Sequence, residues 1–166
     1  EIYLQVGAAQ PSGLMEDDVP RLPNGLLPQN RMANTASLAS PSVRSYVRAY
    51  VRDLLEAYPD VTGFRPDWPE YPCYKLDEAF QDFGPHVERW AEERGFDFAR
   101  MKGEVGALYD LLHGGLRNEH LDDWASPERG RFCLLNTLRA YPGIAEWLCL
   151  KAALSVDLLA EWRAAL

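Results

Sequence analysis

Five residues close to one apolar run could do chemistry together: Arg65, Asp67, Trp68, Glu70 and Tyr71, in the stretch VTGFRPDWPEYP at 61–72. Arg65 and Asp67 are two apart, so on a strand they share a face. A guanidinium beside a carboxyl group favours the ionised carboxylate. Held at a strand end, that carboxylate can act as a nucleophile or steady a developing cation. Glu70 offers a second carboxyl group three residues later. Trp68 and Tyr71 offer flat apolar faces with polar edges, a surface that stacks on a sugar ring and still hydrogen-bonds. The same residue types also suit a structural ion pair with aromatics packed beside it, and both readings stay open on residue type alone.

Metal chemistry has less to build on. His86, His113 and His120 all lie well after Asp67 and Glu70, His120 in the polar stretch LRNEHLDD, which reads as a loop. Cys73, Cys133 and Cys149 are odd in number and lack the paired spacing of a disulfide framework or a zinc site. Cys133 and Cys149 fall among apolar residues and read as buried thiols. Neither a metal nor a cofactor is expected.

The elements that must position these groups are legible from periodicity. Ile2, Leu4 and Val6 alternate with Tyr3 and Gln5, which suits a strand, and GAAQPSG breaks it. Residues 11–40 are rich in Pro, Asn, Ser and Gly, a loop well above usual length. Leu26, Leu27 and Met32 are its expected packing anchors, and Gln10, Asn30 and Asn34 its candidate substrate-binding amides. Ser40 can cap a helix with Pro41 at its first position. Val43, Tyr46, Val47, Tyr50, Val51, Leu54, Leu55 and Tyr58 then recur on one helical face, and Pro59 stops it. Arg44, Arg48 and Arg52 lie on another face, which reads as solvated with Asp53 and Glu56 as partners. DVTGFRPD reads as a second strand, with Pro66 marking its end. Helices follow from Pro85 to Gly95, from Asp97 to Gly114-Gly115, from Ser126-Pro127 through Leu138, and from Pro142 onward.

A strand, a crossover helix and a second strand form a βαβ unit and imply a parallel sheet. The expected fold is therefore α/β, a partial (β/α)8 TIM barrel with two parallel strands followed by a mostly helical half. Two parallel strands cannot hide their own edges, and the sequence starts and stops inside patterned elements. Residues 1–166 read as one fragment of a barrel domain, with the site in 1–84 and helices in 85–166. In such folds ligands bind at the carboxyl ends of the strands. Both unusual segments, the long loop and RPDWPEYP, leave from there.

The strand end GFRPD resembles the Gly-X-Arg-X-Asp strand end of the α-amylase-type glycoside hydrolases. More broadly, residues 28–80 resemble uncharacterised bacterial TIM-barrel proteins grouped with the glycosyl hydrolases, in which a loop with Asn and Ser leads to a P-x-V-R-x-Y helix and a strand ending in Asp. The resemblance implies a catalytic nucleophile at Asp67, supported by Arg65, with a general acid on a later strand. The amylase-type pattern continues to a Lys-His pair, where this chain has Trp68-Pro69-Glu70. Glycoside hydrolysis needs two carboxyl groups, about 5–5.5 Å apart in retaining enzymes and about 6.5–9.5 Å apart in inverting ones. Glu70 could be the second only if its loop folds back over the strand end.

A net charge of −8 argues against nucleic acid or an anionic membrane surface as the main partner. The expected partners are a carbohydrate substrate and the remainder of a longer chain that completes the barrel. No apolar run approaches the ~20 residues of a membrane span, and no signal segment is visible, which tilts the expected location towards the cytoplasm. Two other functions fit the sequence: a carbohydrate-binding barrel without catalysis, and a helical interaction domain in residues 85–166.

Overall fold

The computed structural model describes residues 3–7, 13–29, 31–32, 35–67, 71 and 73–166. Strand β1 (Tyr3–Gly7) pairs in parallel with β2 (Gly63–Asp67), so that Tyr3 lies opposite Gly63 and Gly7 opposite Asp67. Between them runs α1 (Pro41–Ala57). Ser40 opens it by accepting a hydrogen bond from Val43 N at 3.1 Å, and Pro41 occupies the position where its missing N–H costs nothing. The helix ends where Tyr58 N donates to Leu54 O at 2.9 Å, with Pro59 immediately after. Val43, Val47 and Val51, each four residues apart, are its buried stripe.

Beyond β2 the chain is helical: α2 (Leu76–Ala79), α3 (Pro85–Glu92), α4 (Phe98–Asp110), α5 (Asn118–Ala125), α6 (Pro127–Ala140) and α7 (Pro142–Ala165). Gly95 closes the end of α3 with φ at +78°, letting Phe96 N reach back to Ala91 O at 3.0 Å. A single π turn, Leu111–Gly115, extends α4. On α7, Ile144, Trp147, Leu150, Leu154, Leu158 and Trp162 are buried at steps of three and four residues. Gly143 lets α7 approach α4 closely, since a Cβ there would stand 3.1 Å from Met101 Cα. Its N–H donates to a Glu104 carboxylate oxygen.

These stripes meet in one hydrophobic core. Leu22, Ala36 and Leu38 of the long loop join the valines of α1, Val87 and Trp90 of α3, Met101 and Val105 of α4, and the α7 face. Phe64 of β2 packs against it together with Tyr50, Leu54 and Leu55 of α1.

The expected partial TIM barrel is corrected by this arrangement. Among the described residues β1 and β2 are the only strands, no later segment returns to them, and the protein is mostly helical. The apolar stripes of α1, α4 and α7 are satisfied by one another rather than by the outside of a barrel. Several finer expectations change as well. Leu26, Leu27 and Met32 are exposed, and Leu22, Ala36 and Leu38 anchor the loop instead. His120 lies on a helix, α5, not in a loop. Cys149 is exposed and Cys133 half-buried, so neither is a core thiol. Among the described residues no helix is long and apolar enough to cross a membrane.

Candidate functional site

Because Gly7 lies opposite Asp67, both strands end at one edge, and the chain leaves β1 and β2 on the same side. Asp67 is half-buried at the last position of β2, and Arg65, two residues earlier, is exposed. Tyr71, expected to offer its ring to a sugar, is instead buried at 4 % exposure. Gln10, Asn30, Asn34, Trp68 and Glu70 lie outside the described residues.

The loops that follow the two strands are joined by a polar seam. The Tyr71 hydroxyl accepts from Leu38 N at 3.0 Å and donates to Asp82 Oδ2 at 3.1 Å. The other oxygen of Asp82 accepts from Arg21 N at 3.0 Å and from Gly84 N at 2.6 Å. Glycine at 84 leaves room for that contact: a Cβ there would lie 2.9 Å from Asp82 Oδ1, and one of the two would have to shift. The Ser37 hydroxyl stands beside this pair, fully covered, without meeting hydrogen-bond geometry to either. Burial pushes the Asp82 carboxyl group above its ordinary value, against the opposing pull of the N–H and hydroxyl donors. Burial first, and the Asp82 charge second, raise the Tyr71 phenol well above its own.

Three further carboxylates extend the seam. Asp18 Oδ1 accepts from the Ser40 hydroxyl at 2.5 Å and lies 3.3 Å from His86 Nε2, which ties the loop to the starts of α1 and α3. Glu78, fully buried, accepts from Met32 N at 2.6 Å and from Lys75 N at 3.0 Å. Asp77 accepts from Gln29 N at 3.3 Å and faces His113 Nε2 at 2.7 Å. His113 also stacks on Tyr109 at 3.7 Å, and its Nδ1 lies 2.8 Å from Tyr109 O. Both ring nitrogens of His113 are thus engaged within the seam. His86 likewise holds Asp18 with one nitrogen while the other is buried.

A second polar cluster, missed in the sequence, joins α1, α3 and α7. Arg44 is buried rather than solvated: its Nε donates to Leu38 O at 2.8 Å, and its Nη1 lies 3.1 Å from Asp157 Oδ2 and 2.5 Å from Glu161 Oε1. Arg48 pairs with Glu161 at 2.7 Å. The Trp90 indole N–H donates to Asp157 at 2.9 Å, Arg94 reaches the same oxygen at 3.2 Å, and its guanidinium covers the Trp90 ring at 4.0 Å. Burial would raise the Asp157 carboxyl group, but the indole N–H and the two guanidinium groups outweigh it and hold it below its ordinary value. This cluster lines a cleft of about 410 Å³. An apolar cleft of about 370 Å³ opens elsewhere, lined by Leu108, Trp124, Gly130, Leu134 and Thr137. Neither cleft shares a residue with the loop seam. Among the described residues no group of three His, Cys, Asp or Glu side chains could hold a metal ion.

A signal for the seam was present in the sequence as isolated polar residues inside apolar runs, Glu78 and Asp82 within DEAFQDFG above all. A carboxylate flanked by phenylalanines must find donors when the phenylalanines are buried. Comparison with protein-family models, with curated proteins and with solved structures found no match.

Proposed function

We propose that this chain acts on carbohydrate as a glycoside hydrolase-like module, with Asp67 as the strand-end carboxylate and Arg65 as its cationic support on the same strand face. The observation that carries this reading is the register: Gly7 opposite Asp67 sends the two loops out from one edge, beside the last residue of β2. The seam of Tyr71, Asp82, Asp18 and Glu78 then holds those loops against each other. Loops tied to each other in this way support the reading, because catalysis by positioned groups requires a fixed setting. The resemblance of GFRPD to the glycoside hydrolase strand end supplies the reaction class. Asp67→Asn in the full-length protein is expected to lower glycosidase turnover by about a thousandfold, read with an aryl glycoside panel. Unchanged turnover removes Asp67 from the mechanism.

A second reading is sugar binding without hydrolysis, favoured by the exposure of Arg65, whose side chain is open to solvent. Saturable glycan binding in a full-length protein that hydrolyses none of the panel would put this reading in place of the first.

A further inference from the structure

The chain has three lysines, Lys75, Lys102 and Lys151. Lys75 is exposed and Lys102 half-buried on α4. Lys151 differs from both. It rises from α7 so that its Nζ lies 4.7 Å from the centre of the Trp147 ring and 5.8 Å from that of Tyr71. Trp147 in turn stacks on Phe80 and Phe83, each at 5.9 Å, so the amine caps an aromatic wall. Its hydrogen bond goes to Ala79 O at 3.0 Å.

An ammonium carries three N–H groups and seeks three acceptors. Among the described residues a single carbonyl and two ring faces receive it. Among the described residues the titratable groups whose charge reaches it are Cys73 and Asp82. Burial outweighs both and lowers the amine from 10.5 to about 8. An acylated lysine nitrogen, by contrast, is uncharged and has one N–H, which matches the Ala79 carbonyl. Acylation would remove a charge from a half-buried place, keep the bond to Ala79 O and lay an apolar group along the rings.

We propose that Lys151 is an acylation site of this protein, taking an acyl group from an activated donor of the acyl phosphate or thioester class. The neutral Nζ attacks the donor carbonyl carbon and forms a C–N bond. The C–O bond of the acyl phosphate, or the C–S bond of the thioester, breaks and its electron pair leaves with the donor. The proton lost from Nζ passes to solvent.

The test follows acetylation of the intact protein by mass spectrometry and peptide mapping at pH 7.5. Acetyl phosphate is used in one arm and a small acetyl thioester in the other. At that pH about a quarter of Lys151 is neutral, against about a thousandth of a lysine at 10.5. Lower basicity returns part of that advantage, so Lys151 is expected to react about tenfold faster than Lys75 or Lys102. Reaction in one arm alone identifies the donor class. A rate at Lys151 no greater than at Lys75 in both arms overturns the proposal. So does an advantage that persists in the urea-unfolded chain, where the rings and Ala79 O no longer surround the amine. Lys151→Arg, checked for native circular dichroism, is expected to lose the fast site; a fast site that remains is a second contrary result.

Discussion

Asp82 and Asp157 each collect several donors, but the donors differ in kind. Asp82 takes backbone N–H groups from Arg21 and Gly84 and a phenol from Tyr71, in a place 1 % exposed and, among the described residues, without a cation in contact. Asp157 takes an indole N–H and two guanidinium groups, and over a third of its side chain meets solvent. Burial therefore governs the first carboxyl group and raises it, while at the second the Trp90 indole N–H and the two guanidinium groups outweigh burial and lower it. The lesson concerns what each cluster can bear. A buried seam built on backbone N–H and hydroxyl donors depends on every member, because removing one strands the others. A half-open ion network shares its charges and loses them one at a time.

That contrast fails at once if Asp82→Ala is mild. Three donors, Arg21 N, Gly84 N and the Tyr71 hydroxyl, would be left buried without this acceptor. The expected loss is about 3 kcal/mol or more, measured as a shifted urea midpoint with an unchanged slope. A loss under about 1 kcal/mol would mean that the loops are held by apolar packing alone.

Within the ion network the two arginines of α1 should separate. Arg44→Ala removes a buried guanidinium that also holds Leu38 O, and about 2–3 kcal/mol is expected. Arg48→Ala removes a pair whose arginine side chain is 43 % exposed, and less than about 1 kcal/mol is expected. Equal losses would mean that burial does not set the value of these contacts.

The smallest effect is the most diagnostic, since it compares the signs of two pH dependences. Asp157 is lowered in the folded state, so its contribution is present above the ordinary carboxylate value and is lost as pH falls through the lowered one. Asp82 is raised, so its contribution is greatest below the ordinary value and is lost as pH rises through the raised one. Urea unfolding between pH 3 and pH 7 (a range of about four units) should show wild type losing ground to Asp157→Asn on acidification and gaining on Asp82→Asn. Slopes of the same sign would break the comparison.

Much of the secondary structure was legible because its signals are local. Ser40-Pro41, Gly95 with Asp97, Ser126-Pro127 and Pro142 mark helix boundaries that the structure keeps within three residues. The short α2 and α5 were not legible, since neither has a strong apolar stripe and no residue of α5 is buried. The barrel was the larger error, and its cause is instructive. The order strand, helix, strand is the opening of many α/β folds, and nothing local says whether further strands follow. The site was only partly legible for a related reason. Arg65 and Asp67 could be placed on one strand face by counting, but the partners of Asp82, Arg44 and Tyr71 lie 61, 113 and 33 residues away. Periodicity carries no information at that separation. The Arg44 stripe looked solvated because Asp157 and Glu161, which cover it, belong to a helix far along the chain.

The pairing of β1 with β2 has an arithmetical consequence. Successive side chains on a strand point to opposite faces, so Arg65 and Asp67 share one face and Phe64, which packs on the core, takes the other. Inserting or deleting one residue inside Gly63–Asp67 would exchange those faces for everything downstream in the strand, burying a charge or exposing the phenylalanine. A change of two preserves them. Any attempt to lengthen, shorten or graft this segment into another protein is therefore constrained to even steps, whatever residues it uses.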